Sequence, residues 1–340
     1  MKTVVLQPRG FSLIEFMVAM VLGLILIGGA VSVYLAAKRS YTEVEQVADL
    51  AEHGRFAMFT LNESLRHAGF AGAANPQDIR TDDSLGTIVD DCDSPAAAAE
   101  VANYLWAVTA TGGEAFGCIK DARPDTDVLV IKHVLPRPLY DADPEDLSAV
   151  RDGTISFPDA LDDKEIYVIA NSERGLLLDG ADAAPDVREG NEFALGVAWP
   201  YRVQIYYVRE LTIPTLSRRV LHWDAGAGAM AMTTEDLVPG VENMRVRFGL
   251  DSNSDGELDT YTDLTGATGN WQDVEALELF LLLRSATEDA QHSDTKTYQL
   301  GDVAVTPADD PDEYVPTARR VMVHNTISLR NPKLMIRGGR

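Results

Sequence analysis

The stretch that decides the architecture is residues 10–37, GFSLIEFMVAMVLGLILIGGAVSVYLAA. After Gly10 it runs apolar for 27 residues, with Glu15 as its one charged side chain. A helix of that length spans roughly 40 Å, enough to cross the ~30 Å hydrocarbon core of a bilayer. Lys2 and Arg9 precede it without any acid, which favours a cytoplasmic N-terminus. Because a secretory signal has a shorter apolar core, we interpret the segment as a retained anchor.

Glu15 is the exceptional residue of this run. An ionised carboxylate in hydrocarbon costs roughly 2.5 kcal/mol or more, so an intramembrane acid is a functional hypothesis by default. In one interpretation Glu15 lies near the membrane surface and snorkels. In the other, cleavage after Gly10 creates an α-amino group on Phe11, and the amine of a neighbouring subunit neutralises Glu15 as the helices pack. The carboxylate is then an assembly device.

The hexapeptide Gly10-Phe11-Ser12-Leu13-Ile14-Glu15, after a short basic leader, resembles the class III signal of type IV prepilins and pseudopilins. The resemblance implies that a prepilin peptidase cuts between Gly10 and Phe11 and N-methylates Phe11. It also implies the charge-pairing role of Glu15 in assembly. Residues 1–10 are then a leader peptide, and residues 11–37 are the transmembrane and polymerisation half of a helix.

A second, amphipathic half of the same helix is predicted over residues 38–70. Apolar and small residues recur there at spacings of 3 and 4, as one buried helical stripe requires. Gly69 is a natural C-cap, and Pro76 stops continuation. The stripe could form a coiled-coil seam, but its short length and its Ala and Gly content favour packing on the chain's own sheet. Its members are Val44, Val47, Ala51, Gly54, Met58, Leu61, Leu65 and Ala68.

After residue 70 the pattern changes to short apolar runs and alternations, which are typical of strands. We predict a fold of class α+β, type IV pilin-like, in which the long N-terminal helix packs on an antiparallel β-rich head. A short helix is expected over residues 96–107. The predicted strands cover residues 127–134, 154–157, 166–170, 176–179, 201–209, 218–223, 242–250, 275–284 and 321–329.

Several motifs in the C-terminal part resemble the PilW-like minor pilins. They include Leu237-Val238-Pro239-Gly240-Val241-Glu242, Trp271 before a strand, and the terminal Thr326-Ile327-Ser328-Leu329-Arg330-Asn331. Residues 200–340 are therefore predicted to be a β-rich region of that family. Residues 71–199 form a head region without family-specific motifs.

The charge balance limits the function. The chain has 29 basic and 53 acidic residues, a formal net charge of -24. Nucleic acid is therefore not expected as its main ligand, because phosphate binding needs clustered Lys and Arg. The six histidines lack zinc-ligand spacing. The sequence has no nucleophile elbow, P-loop or dinucleotide fingerprint, and we predict no enzymatic activity.

An Asp-rich loop over residues 251–259 places oxygen-bearing side chains at alternate positions, with Gly256 sixth. That is how a calcium loop begins, although Thr262 stands where the bidentate Glu of such loops belongs. The alternative is a solvated Asx-rich turn. We favour a structural Ca²⁺ site and expect no catalytic cofactor. The predicted ligands are Asp251, Asn253, Asp255, Glu257 and Asp259.

Cys92 and Cys118 are the two cysteines of the chain, and the anchor interpretation places both in the periplasm. A pair in an oxidising compartment predicts a disulfide, worth about 3 kcal/mol in the chain-entropy model. Two buried thiols are the alternative. A catalytic dithiol is disfavoured, because the spacing is not C-x-x-C.

The family resemblance implies a minor pilin that helps to prime or cap a type IV pilus and so supports twitching motility, adhesion or DNA uptake. The implied partners are the prepilin peptidase, other minor pilins, the major pilin and a tip adhesin. The implied location is the inner membrane with a periplasmic head, followed by the pilus at the cell surface. Two alternatives stay open: a type II secretion pseudopilin and a membrane-anchored, calcium-dependent adhesin or binding module outside any filament.

Overall fold

The computed structural model of the protein describes residues 10, 12–146, 148–253 and 255–332. The predicted helix is present as α1, Leu13–His67, which ends close to the predicted C-cap at Gly69. The chain forms two compact units, Met1–Asp49 and Leu50–Arg340. The second unit contains the strands and will be called the head.

The first sheet of the head has eight strands. Its central strand is β6 (Val197–Arg209), which pairs with three others. The other strands are β1 (Ile79–Thr81), β2 (Leu105–Thr109), β3 (Asp127–Val134), β4 (Ile166–Ala170), β5 (Gly175–Asp179), β7 (Thr215–Asp224) and β8 (Ala229–Pro239). All strand pairs in this sheet are antiparallel except that of β1 with β5.

The second sheet has four antiparallel strands, β9 (Val241–Leu250), β10 (Thr260–Thr262), β11 (Val274–Glu288) and β14 (Ala318–Ser328). Their order in the sheet is β10-β9-β11-β14. The one-turn helix α2 (Leu264–Ala267) follows β10. A two-stranded hairpin, β12 (Tyr298–Leu300) with β13 (Val303–Val305), lies between β11 and β14 in sequence. The predicted antiparallel β-rich head is confirmed.

The largest core cluster joins the last five turns of α1 to both sheets. Leu61 and Leu65 are fully buried, as the helical stripe predicts. Leu50 and Ala57 are also buried, whereas the neighbouring Ala51 is exposed, so the stripe is rotated slightly from its predicted position. Within the head the stripe packs on the chain's own sheets. The favoured interpretation, packing on the chain's own sheet, therefore holds for Leu50–Ala68, and the alternative of a coiled-coil seam does not.

One glycine allows the helix to approach the second sheet closely. A Cβ at Gly54 would lie 3.0 Å from Cγ1 of Val323 on β14 and 3.5 Å from Leu283 on β11. Farther along, the Ser64 and Tyr206 hydroxyl oxygens are 2.7 Å apart and join α1 to β6. Helix and sheets therefore share one interior.

The predicted helix over residues 96–107 is wrong. The chain forms turns there, and β2 starts at Leu105. The Ala-rich composition favours a helix, but the buried Lys132 ammonium on β3 donates to the carbonyl oxygens of Pro95, Ala97 and Glu100 at 2.9, 2.7 and 2.8 Å. In a helix interior these carbonyls accept from backbone N–H groups instead. The tertiary contact overrides the local propensity.

Two other differences concern strands. Residues 154–157 contribute one isolated bridge, between Phe157 and Tyr140, and no strand. Conversely, β8 was not expected, and neither were the short strands β1, β10, β12 and β13. Three consecutive buried residues, Met230, Ala231 and Met232, leave β8 without the alternation of a half-buried strand. The first sheet ends with β8 and the second begins with β9, so the boundary between the two sheets lies at Gly240. The predicted division at residue 200 falls inside β6. That division describes where the family-like motifs begin, and no sheet boundary falls there.

Candidate functional sites

The N-terminal signal is partly described. Gly10 is exposed and lies before α1, while Phe11 falls outside the described residues. Glu15 is in the first turn of the helix, where its Oε2 accepts from the Ser12 N–H at 2.9 Å. The Glu15 N–H in turn donates to the Ser12 hydroxyl at 3.2 Å. This reciprocal pair is a capping box, which satisfies two N–H groups at the helix N-terminus.

Glu15 was predicted as a functional residue, whereas the role of Ser12 was not. The S-x-x-E spacing of residues 12–15 was the available signal. The carboxylate is also favoured electrostatically at the positive end of the helix dipole. Glu15 therefore has a local partner within its own helix, and an incoming amine would have to compete with that partner.

The first half of α1 exposes apolar side chains all around. Leu13 is 80% exposed, Leu26 73% and Tyr34 66%. Within the described residues, α1 is the one helix that is long and apolar enough to cross a membrane. A continuous apolar surface of this kind marks an interaction with lipid or with other proteins. Within this unit, the fold itself does not bury that surface.

The Asp-rich loop is built around a buried carboxylate. Asp251 is fully buried at the end of β9, and its oxygens accept from the N–H groups of Asp255 at 3.2 Å and Gly256 at 2.7 Å. Asn253 Oδ1 accepts from the same Asp255 N–H at 2.9 Å. Asp259 accepts from the hydroxyl and N–H of Ser252, and these hydrogen bonds hold the pKa of Asp259 below its usual range.

These contacts bring most of the predicted ligands together in one turn. The turn is held by Asx-type hydrogen bonds, in which side-chain oxygens accept from backbone N–H groups. Across the described residues, no three His, Cys, Asp or Glu side chains are grouped so that they could hold a metal. A carboxylate has about four lone-pair positions, so an oxygen that accepts one N–H can still bind a cation. The donor set, of carboxylate and amide oxygens, suits Ca²⁺. Calcium binding stays a prediction, and Glu257 contributes only its N–H to the observed turn, to Asp255.

The predicted disulfide is confirmed. Cys92 and Cys118 are bonded, with Cα atoms 4.8 Å apart. The bond closes a segment that also includes the turns held by Lys132, and it is remote in sequence from the family-like motifs. It therefore supports the head structurally.

The terminal motif has a structural role that the sequence did not reveal. The Asn331 side-chain amide donates to the carbonyl oxygens of Arg66 and Ala68, at 3.5 and 3.2 Å. These carbonyls lie at the C-terminal end of α1, where the last groups have no helical partner. Trp271, from another motif, packs edge-on against Phe248 and beside Trp106 in the main core. The motifs thus stabilise the junction between α1 and the sheets.

Comparison with known proteins found two family profiles. The profile described as Type IV Pilus-assembly protein W matches residues 205–331, and the prokaryotic N-terminal methylation motif matches residues 7–31. A type IV-like pilin from Thermus thermophilus is similar in structure, at 10% identity and a TM-score of 0.34. That match covers 83% of this chain and 97% of the other. The comparison with curated proteins found no match.

Proposed function

We propose that this chain, a PilW-like type IV pilin, is a minor pilin that helps to prime or cap a type IV pilus. The observation that carries this proposal is a methylation signal that opens directly into an exposed apolar helix. Lipid can cover that helix before assembly, and neighbouring apolar helices can cover it in a filament. One surface then serves both states.

The charge of the chain supports a low-copy position. With a net charge of -24, copies placed side by side repel one another. A subunit that occurs once or a few times near a filament tip avoids this cost. The proposed partners are therefore other minor pilins, the major pilin, a tip adhesin and, earlier, the prepilin peptidase. The proposed route leads from the inner membrane, with a periplasmic head, to the pilus, where the chain supports twitching, adhesion or DNA uptake.

The first experiment is the N-terminal peptide mass of protein from cells with and without the prepilin peptidase. We expect a chain that starts at N-methylated Phe11, and a chain that starts at Met1 when the peptidase is deleted. A chain that starts at Met1 in both strains would contradict the pilin proposal. It would favour a membrane-anchored binding module.

The second experiment tests Glu15 within assembly. We expect Glu15→Ala to be exported and cleaved but reduced about tenfold or more in sheared pili, since loss of a charge pair worth ~1.4 kcal/mol is a tenfold effect. Ser12→Ala is the matched control, because it removes the hydroxyl of the capping box and leaves the carboxylate.

Normal incorporation of Glu15→Ala would show that the carboxylate serves only its own helix. Loss of both variants from pili would assign the effect to helix capping. Dependence of the chain on a type II secretion system, and not on pili, would favour the pseudopilin alternative.

A further inference from the structure

The outer edge of the second sheet is formed by β14, which pairs with β11 on one side only. The Leu329 N–H donates to the Glu275 carbonyl at 2.8 Å, so these two residues form a hydrogen-bonded pair. Hydrogen-bonded and non-hydrogen-bonded pairs alternate along an antiparallel ladder. The backbone groups of every second residue of β14 therefore point away from β11. These residues are Met322, His324, Thr326 and Ser328.

This edge is open and unprotected. Within the described residues, no backbone group pairs with the outward N–H and C=O groups. His324, Thr326 and Ser328 are exposed, and the register with β11 runs without a bulge from Ser328 back to Arg320. Residues 321–328 also contain no Lys, Pro or acid. Because lysines, prolines and bulges are the features that protect sheet edges against pairing, this edge can accept a further strand.

A basic groove of about 630 Å³ lies between the end of β14 and the end of α1. Its described lining includes Arg66, His67 and Arg330 and no acid. Both arginines are exposed, and neither forms an ion pair within the part of the chain that the structure describes. Charges farther away than about 8 Å are largely screened at physiological ionic strength. The two arginines therefore make the field at this edge positive, although the chain has a net charge of -24.

We propose that the edge of β14 accepts an extended, acidic strand from a partner protein. Such a strand satisfies the outward backbone groups by main-chain pairing. Its alternate side chains lie on one face, from which carboxylates can pair with Arg66 and Arg330. A second copy of this chain fits less well, because its own β14 contains no acid and two chains of net charge -24 repel each other. The proposal goes beyond the pilus role and does not depend on it.

The test is fluorescence anisotropy on the full chain in nonionic detergent, with a labelled peptide of about eight residues in which Glu and Val alternate. The same peptide with Lys in place of Glu is the charge control. We expect saturable binding of the Glu peptide and about tenfold or more weaker binding of the Lys peptide, because like charges oppose docking. Equal binding of the two peptides, or no saturable binding of either, would overturn the proposal.

Methylated peptides separate strand pairing from charge attraction. Successive residues of a strand direct their backbone N–H groups to opposite edges, so either the Glu amides or the Val amides can face β14, but not both. N-methylation of the set that faces β14 should abolish measurable binding. N-methylation of the other set should leave most of the binding. An equal effect of the two methylations would contradict pairing at a sheet edge.

Variants of the chain locate the site. Thr326→Pro removes one outward N–H and keeps the hydrogen bonds to β11, and proline is tolerated on edge strands. We expect it to weaken binding about tenfold, whereas Thr326→Val, its matched control, keeps the N–H and should bind normally. Arg66→Gln/Arg330→Gln should weaken binding about fivefold, and Arg137→Gln, at an exposed arginine outside the groove, should not change it. Unchanged binding in either folded site variant would overturn the assignment.

Two further measurements test other occupants of the edge. A wild-type dimer in analytical ultracentrifugation that Thr326→Pro converts to a monomer would assign the edge to a second copy and overturn the proposal. A chain that ends at Pro332 and binds the Glu peptide about tenfold tighter than the full chain would assign the edge to residues 333–340, which lie outside the described residues. That result would also overturn the proposal. Neither outcome affects the N-terminal tests of the pilin proposal.

Discussion

At the scale of single residues, Lys132 shows how a buried charge shapes the head. Its ammonium is fully buried and bonded to three carbonyl oxygens of the segment that follows Cys92. Burial lowers the pKa of Lys132 to about 7, with partial compensation by Glu100 and Asp91. With a pKa of about 7 the group titrates in the physiological range, and it donates all three hydrogen bonds in its ammonium form.

Lys132→Met keeps the stem and removes the donor. We expect it to lower the free energy of unfolding by roughly 2–5 kcal/mol, because three carbonyls lose their partner. The folded pKa of Lys132 is below the unfolded value of 10.5, so the unfolded chain binds more protons between these values. The contribution of Lys132 to the free energy of unfolding therefore rises with pH above about 7, by up to ~1.4 kcal/mol per pH unit.

The measurement is urea unfolding of the wild type and the Lys132→Met variant in detergent, from about pH 6 to about pH 9. The difference between the two should be constant at the acid end and grow towards the alkaline end. Parallel curves across the whole range would show that Lys132 does not titrate in this window.

At the scale of elements, the end of α1 depends on a residue from the far end of the chain. Asn331→Ala should lower the free energy of unfolding by about 1 kcal/mol, as loss of a neutral hydrogen bond does. Asn331→Asp should cost more, because a carboxylate cannot donate and is repelled by the negative end of the helix dipole. Thermal unfolding followed by circular dichroism ranks the stabilities of the wild type and the two variants. A stable Asn331→Asp protein would contradict the capping role.

The Asp-rich loop gives a second prediction at this scale. If calcium binds, Ca²⁺ should raise the melting temperature, and Asp255→Ala should abolish that rise. Asp251→Asn should destabilise the loop even in EDTA, since the carboxylate already holds two N–H groups. Calorimetry with and without Ca²⁺ separates these effects. A wild-type melting temperature that does not respond to Ca²⁺ would leave the loop as an Asx-rich turn.

At the scale of the whole molecule, the core clusters all lie in Leu50–Arg340. We expect a fragment that starts at Leu50 to be soluble and to unfold in a cooperative transition. A fragment that starts at Gly69 lacks Leu61 and Leu65, which are fully buried. It should expose the main core and aggregate. Light scattering compares the aggregation of the two fragments, and circular dichroism compares their folding. A folded, soluble fragment that starts at Gly69 would show that the sheets do not need α1.

The sequence by itself determined the features that depend on local pattern. The apolar run predicted α1, and the signal around Gly10 and Glu15 predicted the pilin family, because hydrophobic length and contiguous motifs are readable without a fold. Strands β3 and β4 were predicted to the residue, since their β-branched runs end at turn residues.

Only the tertiary structure decided the features that join distant parts of the chain. The turns around Ala97 replace a predicted helix because a buried ammonium from β3 takes their carbonyls. The cap on α1 comes from Asn331, 263 residues after Ala68. Such contacts depend on three-dimensional proximity and on competition for hydrogen-bond partners, which no local spacing encodes.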